Sequence, residues 1–183
     1  KWTASDQCGN TATGIQTIVV QDTTKPVFTF LPQDLTVNCD NIPGAVSLTA
    51  TDNCSGVVVV QYLGETETPG SCVYNYTITR RWSVTDDCDN VQTAEQILSV
   101  QDTTRPVFVA IPPDLTVECD QIPAVATLTA NDNCSETVDV AFVGETRIDG
   151  PCPDTYTIIR KWSATDQCNN VQLAEQRIEV QDV

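Results

Sequence analysis

RWSVTDDCDN, residues 81–90, recurs as KWSATDQCNN at 161–170 and as KWTASDQCGN at 1–10. A shift of 80 residues lays Thr23–Asp102 over Thr103–Asp182 without insertion or deletion. Cys39, Cys54, Cys72 and Cys88 fall on Cys119, Cys134, Cys152 and Cys168, and QDTT at 21–24 recurs at 101–104. A fixed period of this length marks an array of like modules, each repeat being one structural unit. Residues 1–22 match 81–102 and read as the C-terminal part of a preceding repeat. Residues 23–102 and 103–183 each read as a complete repeat. Cys8 is then the odd cysteine because its partner lies in an upstream repeat, with a free thiol as the alternative. The closing Gln181-Asp182-Val183 stops where another linker would start.

Inside one repeat the apolar residues alternate over short stretches bounded by Gly, Pro, Asn and Asp, the pattern of half-buried strands. Leu35–Asn38 is a first strand. Val46, Leu48 and Ala50 mark a second, and Val58, Val60 and Tyr62 face inward from a third, as do Val138, Val140 and Phe142 in the other copy. Tyr76, Ile78, Trp82 and Val84 line a long fourth strand, and Ala94, Leu98 and Val100 the last. Arg80, Arg160 and the recurring Gln16, Gln96 and Gln176 sit at inward parity. Arg80 either stacks over Trp82, is turned outward by a bulge, or pairs with Glu65. No segment has helical periodicity with caps. The predicted fold is all-β: tandem immunoglobulin-like β-sandwich repeats of 80 residues, stapled by disulfides.

Nine cysteines and no His or Met point to an oxidising, extracellular compartment. A net charge of −16 disfavours nucleic acid and anionic membrane surfaces, and no stretch is long and apolar enough to insert into a membrane. Without His there is no His-based triad or general base, and no cysteine has the surroundings of a nucleophile, so an enzyme is not expected.

The stretches PQDLTV (32–37), IPGAVSLTATDNCSG (42–56), TPGSC (68–72), YTITRRWSVTDDCDN (76–90) and ILSVQDTTRPVF (97–108) resemble the hyalin repeat, an immunoglobulin-like extracellular module. The cysteine-rich form with Asp-Thr-Thr-x-Pro linkers is most similar to repeats of giant Bacteroidetes surface proteins. The resemblance implies type IX secretion and a place in an adhesin, gliding filament or appendage at the cell surface. Asp22-Thr23-Thr24 and Asp102-Thr103-Thr104 resemble O-glycan attachment sites of that group, which implies Thr23 and Thr103 as acceptors. Asn53-Cys54-Ser55, Asn75-Tyr76-Thr77 and Asn133-Cys134-Ser135 read formally as N-glycan sequons.

Four cysteines in a repeat allow three pairings. An immunoglobulin-like path puts the loops holding Cys54 and Cys88 at one end and those holding Cys39 and Cys72 at the other. That predicts Cys39–Cys72 and Cys54–Cys88, repeated as Cys119–Cys152 and Cys134–Cys168, each closing a loop worth about 3–4 kcal/mol. Wide spacing argues against zinc. The same path sends each linker aspartate to the turns of the next repeat: Asp22 to Asp52 and Asp86, Asp102 to Asp132 and Asp166. Three converging carboxylates would hold Ca²⁺ at a domain junction. Aspartates that merely shape turns and keep the surface soluble are the alternative.

The function expected from these readings is that of spacer or stalk repeats in a long extracellular filament or adhesin supporting attachment, motility or contact with prey or surfaces. Its partners would be the neighbouring repeats and other copies of the chain in a fibre. The second reading is a module binding glycan or protein. The absence of an exposed aromatic platform disfavours sugar, because Trp2, Trp82 and Trp162 are all predicted to face a core.

Overall fold

The alternation carries directly into structure. A computed structural model describes residues 1–152 and 154–181, so the reading of Asp182-Val183 as a new linker lies outside the described residues. No helix occurs among the described residues. A hairpin of β1 (Trp2–Ser5) and β2 (Thr11–Gly14) comes first. Six strands follow: β3 (Val27–Phe28), β4 (Leu35–Asn38), β5 (Ala50–Thr51), β6 (Val59–Pro69), β7 (Tyr76–Thr85) and β8 (Val91–Gln101). The next six are β9 (Val107–Phe108), β10 (Leu115–Glu118), β11 (Ala130–Asn131), β12 (Asp139–Asp149), β13 (Tyr156–Thr165) and β14 (Val171–Gln181). Every strand from β9 to β14 lies 80 residues after its counterpart in the previous six.

Each set of six makes two sheets. A four-stranded sheet runs β4-β8-β7-β6, and its counterpart β10-β14-β13-β12. A two-stranded sheet pairs β3 with β5, or β9 with β11. The first long-sheet strand adds in parallel to the last: Leu35 pairs with Leu98 and Leu115 with Ile178. Neither β3 nor β9 was expected, since two-residue ladders beside Pro26 and Pro106 leave almost no alternation to read. The second predicted strand is also shorter than expected. Only Ala50–Thr51 joins the ladder, extended by a bond from the Thr29 amide to the Thr49 carbonyl (2.9 Å), and Val46 remains exposed.

The contacts divide the chain into two compact units that do not follow the repeat boundaries. One comprises 1–31, 48–62 and 82–93; the other 32–47, 63–81 and 94–183. In the first, Trp82 is 1% exposed and Tyr62 packs against it, ring centroids 5.4 Å apart. Burying an indole of this size is worth on the order of 5 kcal/mol. Trp2 departs from expectation. It is 61% exposed, because among the described residues its hairpin is a two-stranded sheet with no second layer over it.

In the second unit Phe108 and Leu128, from the small-sheet side, pack on Trp162, Ala164 and Ala174, with Val138 and Val140 against them. That is the sandwich core. A neighbouring cluster joins Ile158, Ile178 and Val180 to Val117 and Tyr156, and its earlier counterpart joins Ile78, Leu98 and Val100 to Val37 and Tyr76. A bulge between Phe142 and Gly144 resets the register of β12, and Gly144 takes φ 142°, which a side chain rarely tolerates.

The inward arginines are paired, which decides among the three readings of Arg80. Its Nε donates to Glu65 Oε2 at 2.9 Å and its Nη2 to the Pro43 carbonyl at 2.6 Å, with the residue only 3% exposed. Arg160 repeats this with Glu145 at 3.1 Å and the Ala124 carbonyl at 3.3 Å. The inward glutamines tie the same sheet to the chain before its first strand: Gln96 Nε2 donates to the Gln33 carbonyl and Gln176 Nε2 to that of Pro113. A buried charge is tolerated only with such partners.

Candidate metal and disulfide site at the linker

The linker site is built from a five-residue loop that occurs three times: Asp6-x-Cys8-x-Asn10, Asp86-x-Cys88-x-Asn90 and Asp166-x-Cys168-x-Asn170. One oxygen of Asp166 accepts the amides of Cys168 and Asn170, both at 2.8 Å, and the other accepts the Asn170 side-chain amide at 2.8 Å. Asp86 and Asp6 do the same. The loop must turn through positive φ one residue after the cysteine, where Gly9, Asp89 and Asn169 take 83°, 67° and 67°. Gly, Asp and Asn are the residue types that accept this conformation most readily. Burial pushes the Asp86 carboxyl up, but its hydrogen bonds from Asn90 and Cys88 prevail and hold it below the ordinary value.

The other two carboxylates come from a second turn and from the linker. Asp132 Oδ1 accepts the amides of Cys134 and Ser135 at 2.9 Å, and Asp102 Oδ1 that of Thr104 at 3.2 Å. Asn170 closes the group by donating to the Asp102 carbonyl at 3.1 Å. Ligand atoms of Asp102, Asp132 and Asp166 all lie within 4.8 Å of one another, and so do those of Asp22, Asp52 and Asp86. Both sets of residues singled out in the sequence are thus brought together.

Two carboxylate oxygens in each set are buried without a hydrogen-bond partner: Asp102 Oδ2 with Asp132 Oδ2, and Asp22 Oδ2 with Asp52 Oδ2. Asp102 as a whole is 3% exposed. Burial is the largest influence raising its pKa above the carboxylate norm. Asp132 and Asp166 add to the rise, while the Thr104 amide and Ser135 hydroxyl oppose it. Orphaned anionic oxygens in a partly buried, all-oxygen donor set fit a hard divalent cation such as Ca²⁺. A third group, Cys39, Asp102 and Cys134, also lies within 4.8 Å, but its sulfurs are bonded to each other and are not available as ligands.

The disulfides overturn the pairing expected within each repeat. Cys39 bonds Cys134 and Cys72 bonds Cys168, with Cα separations of 6.0 and 5.2 Å. None of Cys39–Cys72, Cys54–Cys88, Cys119–Cys152 or Cys134–Cys168 forms; Cys8, Cys54, Cys88, Cys119 and Cys152 are exposed thiols. For Cys39–Cys72 and Cys119–Cys152 the reason lies in strand order. Cys39 follows β4 and Cys72 precedes β7, which flank β8 on opposite sides. Two strand spacings separate them, about 9–10 Å, beyond the roughly 7 Å that a disulfide spans. The turns around Asp132 and Asp166 instead present Cys134 to Cys39 and Cys168 to Cys72, one bridge on each flank of β8.

Several polar residues that the sequence reading passed over complete this site. Asn75, read as a sequon, spends its Oδ1 on the Asp102 amide at 2.7 Å. Asn133 donates to Asp40 at 2.9 Å, Asn38 to Thr104 at 3.3 Å, and the Glu136 amide to the Tyr74 hydroxyl at 3.3 Å. Ser55 and Ser135 are buried and accept the amides of Asp87 and Gln167. The recurrence of Asn10, Asn90 and Asn170 at the period of the repeat was the available signal. Thr23 and Thr103 are both exposed.

Compared with known proteins, the chain matches no family model and no curated protein. Solved structures similar to it include Drosophila N-cadherin EC1-4, at 10% identity and a TM-score of 0.35 over 87% of this chain and 50% of that one. The human desmocollin-1 ectodomain is similar at 11% identity and a TM-score of 0.35, over 98% of this chain and 47% of that one. Human protocadherin-24 EC1-2 follows at 16% identity and a TM-score of 0.33, over 87% and 99%. The chain spans about half the length of the first two. Scores of this size assign neither ligand nor partner, and the sandwich description rests on the strand pairing itself.

Proposed function

We propose that the chain is a structural spacer: stalk repeats of a long extracellular surface filament or adhesin that supports attachment, motility or contact with surfaces. The observation that carries this reading is the pair of bridges Cys39–Cys134 and Cys72–Cys168, which span sequence separations of 95 and 96 residues and flank the strand leading into the linker. A tether between consecutive modules shares tension with the Asp102-Thr103-Thr104 backbone, which a spacer needs and a free-standing binding module does not. Nine cysteines support an oxidising, extracellular location, and the hyalin-repeat resemblance supports export to a bacterial surface by the type IX route. Exposure of Thr23 and Thr103 supports O-glycosylation of the linkers.

Ca²⁺ belongs to this proposal as a strut. Asp102, Asp132 and Asp166 would hold one ion, and Asp22, Asp52 and Asp86 another. Its chemistry there would be charge neutralisation of three clustered carboxylates, stiffening the turn that presents the cysteines. Calorimetric titration tests it: binding below millimolar Ca²⁺ is expected, and no heat at millimolar concentration refutes the strut.

Solution scattering of chains lengthened by whole repeats tests the spacer. Strands of 10–11 residues are about 35 Å long, so each repeat adds about that to the particle's maximum dimension. A dimension that does not grow with repeat number overturns the reading, as does specific capture of a glycan or protein by a single repeat.

A further inference from the structure

The unbridged cysteines are not scattered. Shifted by 80 residues, the bonded Cys39 and Cys72 become Cys119 and Cys152, and the bonded Cys134 and Cys168 become Cys54 and Cys88. Each full repeat therefore carries two cysteines of the kind that bond forward and two of the kind that bond backward.

The backward-bonding kind is prepared in the same way whether bonded or not. Cys54 and Cys88 sit in the turns that hold Cys134 and Cys168: the Cys54 amide donates to Asp52 at 2.8 Å as that of Cys134 does to Asp132 at 2.9 Å. The Cys88 amide donates to Asp86 at 2.8 Å as that of Cys168 does to Asp166. The backward-facing pair is thus preformed without a partner. Against Pro151, the residue before Cys152, in turn, lies an open cavity of about 420 Å³ walled also by Gly150, Thr155, Tyr156, Val180 and Gln181. The same wall one period earlier, Gly70, Asn75, Tyr76, Val100 and Gln101, is engaged: Asn75 takes the Asp102 amide and lies 3.9 Å from Cys168 Sγ.

We propose that Cys119, Cys152 and this cavity form a socket for a further module of this type, whose cysteines equivalent to Cys134 and Cys168 close two bridges onto them. Cys54 and Cys88 are the matching plug toward a module before them. The lacing is then continuous, two bridges per junction and none inside a repeat, and Cys8 belongs to the Cys88 kind. Each closure joins two sulfurs and releases two protons and two electrons, which reduce the disulfide of an oxidised dithiol carrier to its dithiol. The spacer reading supplies the existence of further modules; the pairing is tested apart from it, since scattering can report extension whichever way the sulfurs pair.

The test compares the chain as it stands with residues 1–182 followed by a second copy of 23–102, both oxidised by a dithiol carrier and mapped as non-reduced peptides. The unextended chain is expected to alkylate at five thiols, Cys8, Cys54, Cys88, Cys119 and Cys152. In the extended chain the count stays the same, with Cys119 bonded to the appended copy of Cys54 and Cys152 to that of Cys88. A bond from Cys119 to Cys152 or from Cys54 to Cys88 overturns the proposal. So does a thiol count that rises with the added repeat.

Discussion

Removing one inter-repeat bridge offers a direct measure of what these long ties contribute. In a background with Cys8, Cys54, Cys88, Cys119 and Cys152 changed to serine, the perturbation is the pair Cys72→Ser and Cys168→Ser. A disulfide closing a loop of 96 residues lowers the entropy of the unfolded chain by an amount worth about 4.7 kcal/mol. With Cys39–Cys134 still in place the effective loop shrinks to roughly 70 residues, and the logarithmic dependence lowers the contribution only to about 4.4 kcal/mol. For a chain of this size that is a fall of roughly 10–15 °C in unfolding temperature. Thermal and urea unfolding followed by circular dichroism without reductant measures it, and thiol titration of the same sample checks the pairing. Inter-repeat pairing leaves no thiol after this double change. Two titratable thiols would mean that Cys39 and Cys134 had lost their partners, and the assigned connectivity would fall. A loss below about 1 kcal/mol would refute the entropic argument instead.

Three further outcomes follow from the site and the core. Glu65→Ala should cost more than Arg80→Met, about 3 kcal/mol against 1–2, although Glu65 is the more exposed partner, because the first leaves a buried guanidinium without its counter-charge; chemical denaturation ranks them, and the reverse order refutes the ion pair as the reason Arg80 is tolerated. Asp102 has a raised pKa, so the folded chain binds its proton more tightly and loses stability as pH rises through the window above 3.8. Without divalent ions Asp102→Asn should therefore gain stability on the parent as pH rises from 4 to 6, and with Ca²⁺ it should fall behind; a difference indifferent to both pH and Ca²⁺ would contradict the carboxylate geometry. Desolvation and the carboxylates of Asp22 and Asp52 push up the Cys54 thiol, so its alkylation at pH 8 should accelerate when Ca²⁺ is added; a rate unaffected by Ca²⁺ would count against an ion at Asp22 and Asp52.

Much of this was legible without coordinates because it is local or periodic. Alternation at Ile78, Arg80, Trp82 and Val84 follows from the geometry of a strand, and each of these residues is buried in β7. The meeting of Asp102 with Asp132 and Asp166 was legible too, since all three end strands or leave a linker at one end of a repeat. What failed was the choice of partner for each cysteine. The ends were inferred from chain path, but the end carrying Cys39 and Cys72 meets the turns that hold Cys134 and Cys168, and only distance separates a partner within the 80-residue stretch from one beyond it.

An 80-residue period, the strand faces, the Asp-x-Cys-x-Asn loop and the charge of −16 are properties of the sequence alone, because they depend on residue type and spacing. Tertiary structure decided the rest. Placing β8 between β4 and β7 holds Cys39 and Cys72 two strands apart, while the five-residue linker 102–106 leads into a stretch whose turns bring the Cα atoms of Cys134 and Cys168 to 6.0 Å from Cys39 and 5.2 Å from Cys72. A disulfide forms where Cα atoms come close enough for its fixed bond lengths. Sequence spacing carries no record of that distance.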